Sequence, residues 1–141
     1  VRVLPGANRV RWVGEILVLE ARPDADLGPL AVRALQKRAL THFTERLNHF
    51  TTKLDIAAPK LSLSSAHTRW GSCSEQGGIR VNWRLIHLPA HLGDYVVAHE
   101  AAHLIELNHS KRFWAVVDSI YPDWNAARSE LKQRATSLPI L

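Results

Sequence analysis

The sequence predicts an α+β fold, a small antiparallel sheet packed against about four helices. Three observations predict it. Two alternating stretches, 60–66 and 79–85, lie either side of a Gly-rich connection. Apolar residues recur at three- and four-residue steps through 30–54. Proline, glycine and serine then cut the second half into three shorter helical segments.

The elements follow in order. Residues 10–20 (VRWVGEILVLE) read as a strand, with Gly14 a place for a turn or bulge. Residues 21–29 hold two prolines, a glycine and two aspartates, which is loop chemistry. From 30 to about 54, Val32, Leu35, Ala39, Phe43, Leu47, Phe50 and Leu54 form one apolar stripe of a helix. Its other faces carry Arg33, Lys37, Arg38, Arg46 and Lys53 against Glu45 alone. Ala57-Ala58-Pro59 ends it, and residues 60–66 (KLSLSSA) alternate as a strand. Residues 74–78 are turn-forming. Beyond them Ile79, Val81, Trp83 and Leu85 face one side of a strand, and Arg80, Asn82 and Arg84 the other. The two strands are expected to form an antiparallel hairpin. Pro89 and Gly93 flank the start of a helix expected to run through His103 to about Leu107. Ser110 is a natural N-cap for a helix carrying Phe113, Val116, Val117 and Ile120. Pro122-Asp123 restarts a last helix to about Ser137.

At 141 residues the chain reads as a single domain, 1–29 an N-terminal strand and loop and 30–141 the core. Its 46% hydrophobic and 22% charged residues exclude a disordered tail, a collagen-like fibre and a coiled coil. No apolar run approaches the roughly 18 residues of a membrane span. The lone Cys73 excludes an internal disulfide and a cysteine-only zinc site. Lacking methionine even at position 1, the chain reads as a fragment or processed product, with no cleavable signal visible. A cytoplasmic, reducing setting is the expectation. The whole net charge of +5 sits in residues 1–70. That excess, concentrated on the basic helix 30–54, suggests DNA contact as an alternative function, a nucleic-acid-associated zinc-binding module.

The chemistry concentrates in His99-Glu100-Ala101-Ala102-His103. On a helix, positions i and i+4 share a face, so both imidazoles reach one metal ion from adjacent turns. Glu100 is placed to take a proton from metal-bound water, the arrangement of a zinc-dependent peptidase acting on a peptide or protein substrate. A catalytic zinc needs a third protein ligand. Glu106 continues the same face, but seven residues of helix rise about 10.5 Å, too far for one ion. If Asn108 ended the helix in a left-handed conformation, His109 would return to the metal. Its six-residue offset from His103 matches the HExxHxxGxxH spacing, with Glu106 in place of the glycine. His109 is favoured, with Glu106 and a distant residue such as Asp118 still open. Arg69 is a candidate to steady a developing oxyanion. Asn82, on an exposed strand face, is a candidate to bond a substrate lying along 79–85. Cys73 reads as part of a tight turn rather than a nucleophile. His42, His49, His67, His87 and His91 show no ligand spacing.

The runs Thr68-Arg69-Trp70-Gly71-Ser72-Cys73, Val81-Asn82-Trp83-Arg84-Leu85, Asp94 through Glu100 and Asn108-His109-Ser110, with Phe113-Trp114, resemble the YgjP-like metal-dependent hydrolases over about residues 30–136. That family is similar to the zincin-type WLM and SprT/Spartan proteases. The resemblance implies a zincin-like fold, zinc (Zn2+) on His99, His103 and His109, and Glu100 as base; Trp70 is a further candidate for substrate binding. Ala101 stands where the family usually carries leucine, and the family's N-terminal part is usually longer. Relatives of the SprT type act on proteins crosslinked to DNA.

Overall fold

The computed structural model describes residues 2–5, 9–13, 16–21, 27–66, 69–76 and 78–134. The chain divides into two compact units, with the boundary between Arg38 and Ala39.

The first unit holds β1 (Arg2–Pro5), β2 (Arg9–Val13) and β3 (Ile16–Ala21) in the order β1-β3-β2. The stretch expected as one strand at 10–20 is two strands, β2 and β3, paired antiparallel with Trp12 opposite Leu17. Gly14, where a turn was expected, falls between them and outside the described residues. β1 joins the other side of β3 in parallel. α1 (Leu27–Lys53) starts three residues before the expected position. Pro29 therefore lies in its first turn, where a missing N–H leaves no intrahelical bond unmade. Within this unit Trp12, Leu30, Ala31 and Leu35 pack on Ala34, and the Arg38 guanidinium lies 3.8 Å from the Trp12 ring centre.

In the second unit β4 (Leu61–Ser64), β5 (Gly71–Cys73) and β6 (Ile79–Asn82) form a sheet in the order β4-β6-β5. The expected hairpin of 60–66 with 79–85 is corrected: β4 runs parallel to β6, with Leu61 opposite Ile79. The antiparallel partner of β6 is β5. Their turn is closed by Ser74, whose N–H donates to the Gly78 carbonyl at 2.9 Å and whose Oγ accepts from Gly78 N at 3.0 Å. A short turn joins only antiparallel neighbours, and the long segment between β4 and β6 gives room for a parallel return.

The strand expected to reach Leu85 stops at Asn82, and Trp83–His87 wind into a 3-10 turn. Asn82 is 2% exposed, not on an open face as expected. Its Oδ1 accepts from Arg84 N at 3.0 Å, and its Nδ2 donates to the carbonyls of Ala66 at 2.7 Å and Arg69 at 3.1 Å. A fully committed amide has no hydrogen bond to give a substrate. Asn82→Ala strips the turn of its cap and leaves two carbonyls short of a donor, so it should destabilise the fold by about 3 kcal/mol. Urea unfolding reads this as a lower midpoint at unchanged slope.

Phe43, Leu47 and Phe50 of α1 are buried with Ile79, Val81, Trp83 and Leu85, and with α2 (Ala90–Ala102) through Leu92, Val96 and Val97. Gly93 lets α2 approach α1, since a Cβ there would lie 3.0 Å from Phe43 Cε1. Beside it Arg46 Nε pairs with Asp94 Oδ1 at 2.7 Å. With Arg46 drawn into an ion pair and Arg38 stacked on Trp12, the helix is less of a uniform cationic face than its sequence suggests. α3 (Lys111–Ile120) starts at the expected cap, Ser110 Oγ accepting from Phe113 N at 3.3 Å. α4 (Trp124–Arg134) follows, and Ser137 lies outside the described residues. No helix among the described residues is long and apolar enough to cross a membrane. The architecture is the expected α+β arrangement, with both sheets mixed rather than antiparallel.

Candidate metal centre

α2 is apolar on nearly every face, with Tyr95, Val96, Val97, Ala98, Ala101 and Ala102 all buried. A helix of that pattern is a core helix, which fixes its orientation tightly. His99 and Glu100 are its polar exceptions near the C-terminal end. The helix does not run on to Leu107 but ends at Ala102, with His103 as its C-cap. The next residues tighten into three-residue bonds, Leu104 N to Ala101 O and Ile105 N to Ala102 O, both 3.0 Å. Ile105 and Leu107, within the span expected to be helical, are 46% and 54% exposed on this turn. Among the described residues only Asp55 has positive φ outside glycine, so Asn108 makes no left-handed stop.

The early turn brings the chain back on itself. His103 Nδ1 donates to the Glu106 carbonyl at 3.1 Å. A carbonyl only accepts, so Nδ1 carries the proton and Nε2 of the neutral ring offers a lone pair. That Nε2 lies 3.1 Å from Nε2 of His109. One ligand nitrogen from each of His99, His103 and His109 lies within 4.8 Å of the others. Phe113 holds the rings in place, stacked on His103 at 4.4 Å and edge-on to His99 and His109 at 4.9 Å. Burial, and then the positive charge that His103 and His99 can carry, hold the His109 imidazole below its ordinary pKa. His109 is therefore neutral at pH 7. Three imidazole nitrogens gathered this closely are a donor set suited to zinc.

Glu100 is 5% exposed, and its Oε2 accepts from His99 Nδ1 at 3.2 Å. Gly71 of β5 covers it. A Cβ at Gly71 would sit 2.9 Å from Glu100 Oε2 and 3.0 Å from both Glu100 Cγ and Val96 Cγ1. Its tie to His99 and its burial leave the carboxylate little room to retreat. Gly71→Ala should therefore displace Glu100 and lower any Glu100-dependent turnover at least tenfold, because misplacing a reacting group by about 1 Å is that harmful. Metal content measured alongside should stay at the parent value.

Of the other sequence candidates, Glu106 contributes its carbonyl, and Asp118 Oδ1 accepts from Trp124 Nε1 at 3.2 Å. Neither carboxylate joins the histidines in the cluster. Arg69 is exposed, and the bond it makes among the described residues is through its carbonyl. Trp70 is half-buried, its carbonyl accepting from Asn82 N at 2.7 Å. Burial, and then the Glu100 carboxylate, push the Cys73 thiol up, so it stays protonated and is a poor nucleophile. His91 meets Glu130 at 3.0 Å, whereas His87 keeps a buried Nε2 without a partner among the described residues. His67 lies outside the described residues. Sequence reasoning missed Gly71 as the cover of Glu100. The signal was available, because a glycine inside a strand often marks close approach of another group.

The fold is similar to that in the crystal structure of the metallopeptidase zymogen of Pyrococcus abyssi abylysin, with a TM-score of 0.58. The match is 24% identical and covers 68% of this chain and 94% of that one. No curated protein is detectably similar in sequence. The YgjP-like metallopeptidase domain matches residues 6–134. With that match spanning nearly the whole chain, this protein belongs to the YgjP-like family of metallopeptidase domains.

Proposed function

We propose that the chain is a zinc-dependent peptidase in which His99, His103 and His109 hold the metal and Glu100 is the general base. The observation that carries this reading is the convergence of three imidazole nitrogens within 4.8 Å, with a buried carboxylate hydrogen-bonded to one of the rings. A divalent cation held by the three histidines would supply Lewis acidity, acidifying a water molecule and polarising a carbonyl. Glu100 accepts the water's proton and delivers it to the leaving amine. The His103 Nδ1 bond to Glu106 O fixes which ring nitrogen is offered.

A substrate along 79–85 meets a closed strand, because β6 is flanked by β4 and β5. β5 is an edge strand and lies against Glu100 through Gly71. An extended peptide adding to β5 would bring its backbone beside the base, and Trp70, leading into β5, would border it.

Proton competition gives a further expectation. All three ligands must be neutral to bind, and an ordinary imidazole titrates near pH 6.5. His109 is shifted down, so its lone pair outlasts that value on acidification. Zinc retention after dialysis should be complete at about pH 7.5 and fall steeply between about pH 6 and 5. Undiminished retention at about pH 4 would be incompatible with an imidazole site.

The test of the function is metal analysis of the purified chain, paired with a peptidase assay on an unfolded protein. One zinc per chain is expected, with cleavage that a chelator stops and added zinc restores. A zinc-loaded chain that leaves unfolded protein intact would refute it.

A further inference from the structure

We propose that Arg128 of α4 selects substrates that carry a carboxylate close to the scissile bond. The proposal rests on the peptidase reading above and names what that site recognises.

Trp124 and Arg128 are four residues apart on α4 and so share one face. Trp124 stacks on Trp114 of α3, with ring centres 4.5 Å apart at 27°. Trp114 lies nearly parallel to the His109 ring at 6.2 Å and edge-on to His99 at 5.8 Å. The Arg128 guanidinium carbon lies 5.2 Å from the Trp114 ring centre. An aromatic shelf thus leads from the histidine cluster to a cation, with a single indole between them.

Arg128 is exposed and forms no ion pair among the described residues. Asp118 of α3 accepts from Trp124 Nε1 at 3.2 Å, and Glu130, on α4 itself, pairs with His91 and Arg134 at 3.0 and 3.1 Å. An exposed arginine alone is ordinary. This one is steadied over the Trp114 ring, which itself lies beside His109 and His99. A guanidinium held by its face keeps its N–H fork free to grip a carboxylate with two parallel bonds. An extended peptide advances about 3.3 Å per residue, so the recognised group lies within about three residues of the cleaved bond. The same chemistry fits an Asp or Glu side chain and a free chain end.

The test uses the full zinc-loaded chain and matched peptides differing only in one flanking position (Glu, Gln or Lys), each with a free or an amidated C-terminus. The parent should favour a carboxylate-bearing peptide over its neutral match about fivefold in kcat/KM, the scale of an exposed ion pair. Preference for internal Glu names a side chain, and preference lost on amidation names the chain end. The ratio should fall to about one in Arg128→Ala, survive in Arg128→Lys and turn toward Lys peptides in Arg128→Glu. Equal rates for charged and neutral peptides in the parent would overturn the proposal, as would an unchanged ratio in Arg128→Ala. Binding to the metal-free chain, followed by tryptophan fluorescence, separates the two readings. Charge-selective binding that needs Arg128, without cleavage, keeps this proposal and removes the peptidase; cleavage without charge selectivity does the reverse.

Discussion

Replacing Glu100 with glutamine should leave zinc content at the parent level while peptide hydrolysis falls about a hundred- to ten-thousand-fold. The size follows from the role. A positioned base that takes a proton in the transition state contributes on that scale, and an amide cannot take the proton. The change is nearly isosteric. Glu100 is buried under Gly71 and accepts from His99 Nδ1, and the glutamine Oε1 can accept the same bond. Packing and the orientation of His99 should therefore persist, so the loss will not be attributable to unfolding. Single-turnover cleavage with parallel metal analysis makes the measurement. Cleavage by the variant at the parent rate would remove Glu100 from the mechanism.

The second large effect concerns His109. Its alanine variant should weaken zinc binding at least about a hundredfold, since even groups supporting a ligand contribute tenfold or more and His109 is proposed as a ligand itself. The domain should stay folded. His109 is exposed, whereas the Ser110 cap and the buried Phe113 that anchor α3 remain. Competition with a chelating dye gives the affinity, and the melting temperature of the metal-free variant checks the fold. Equal affinity in variant and parent would point to Glu106 or Asp118. Each would first have to abandon its present arrangement, the turn at Glu106 O or the bond from Trp124.

The sequence made the site's helix legible because two kinds of information coincide there. The i, i+4 histidines lie within an apolar run that only a core helix explains. α1 and the Ser110 cap were legible for similar local reasons, periodicity and side-chain capping. The end of α2 was not. Leu104, Glu106 and Leu107 are good helix formers, and local propensity carries the helix on to them. The turn there is held by a side-chain bond, His103 to Glu106 O, and by Phe113 of α3 packing on His103, neither of which propensity registers. Strand partners were hidden for a related reason. Alternation marks 60–66 as a strand but says nothing about parallel pairing with β6. Asn82 misled because strict alternation assigns it to the polar face, whereas the strand ends there and turns its amide inward. Arg128 carries no motif, and its place over the Trp114 ring, which lies against His109 and His99, is what connects it to the histidines.

The most direct test of the central claim is anomalous diffraction at the zinc edge from crystals of the zinc-loaded chain. One strong peak is expected, enclosed by His99, His103 and His109, with a ring nitrogen of each at about 2.0–2.1 Å. A peak held by the carboxylates of Glu106 or Asp118, or no peak among the three histidines, would contradict it.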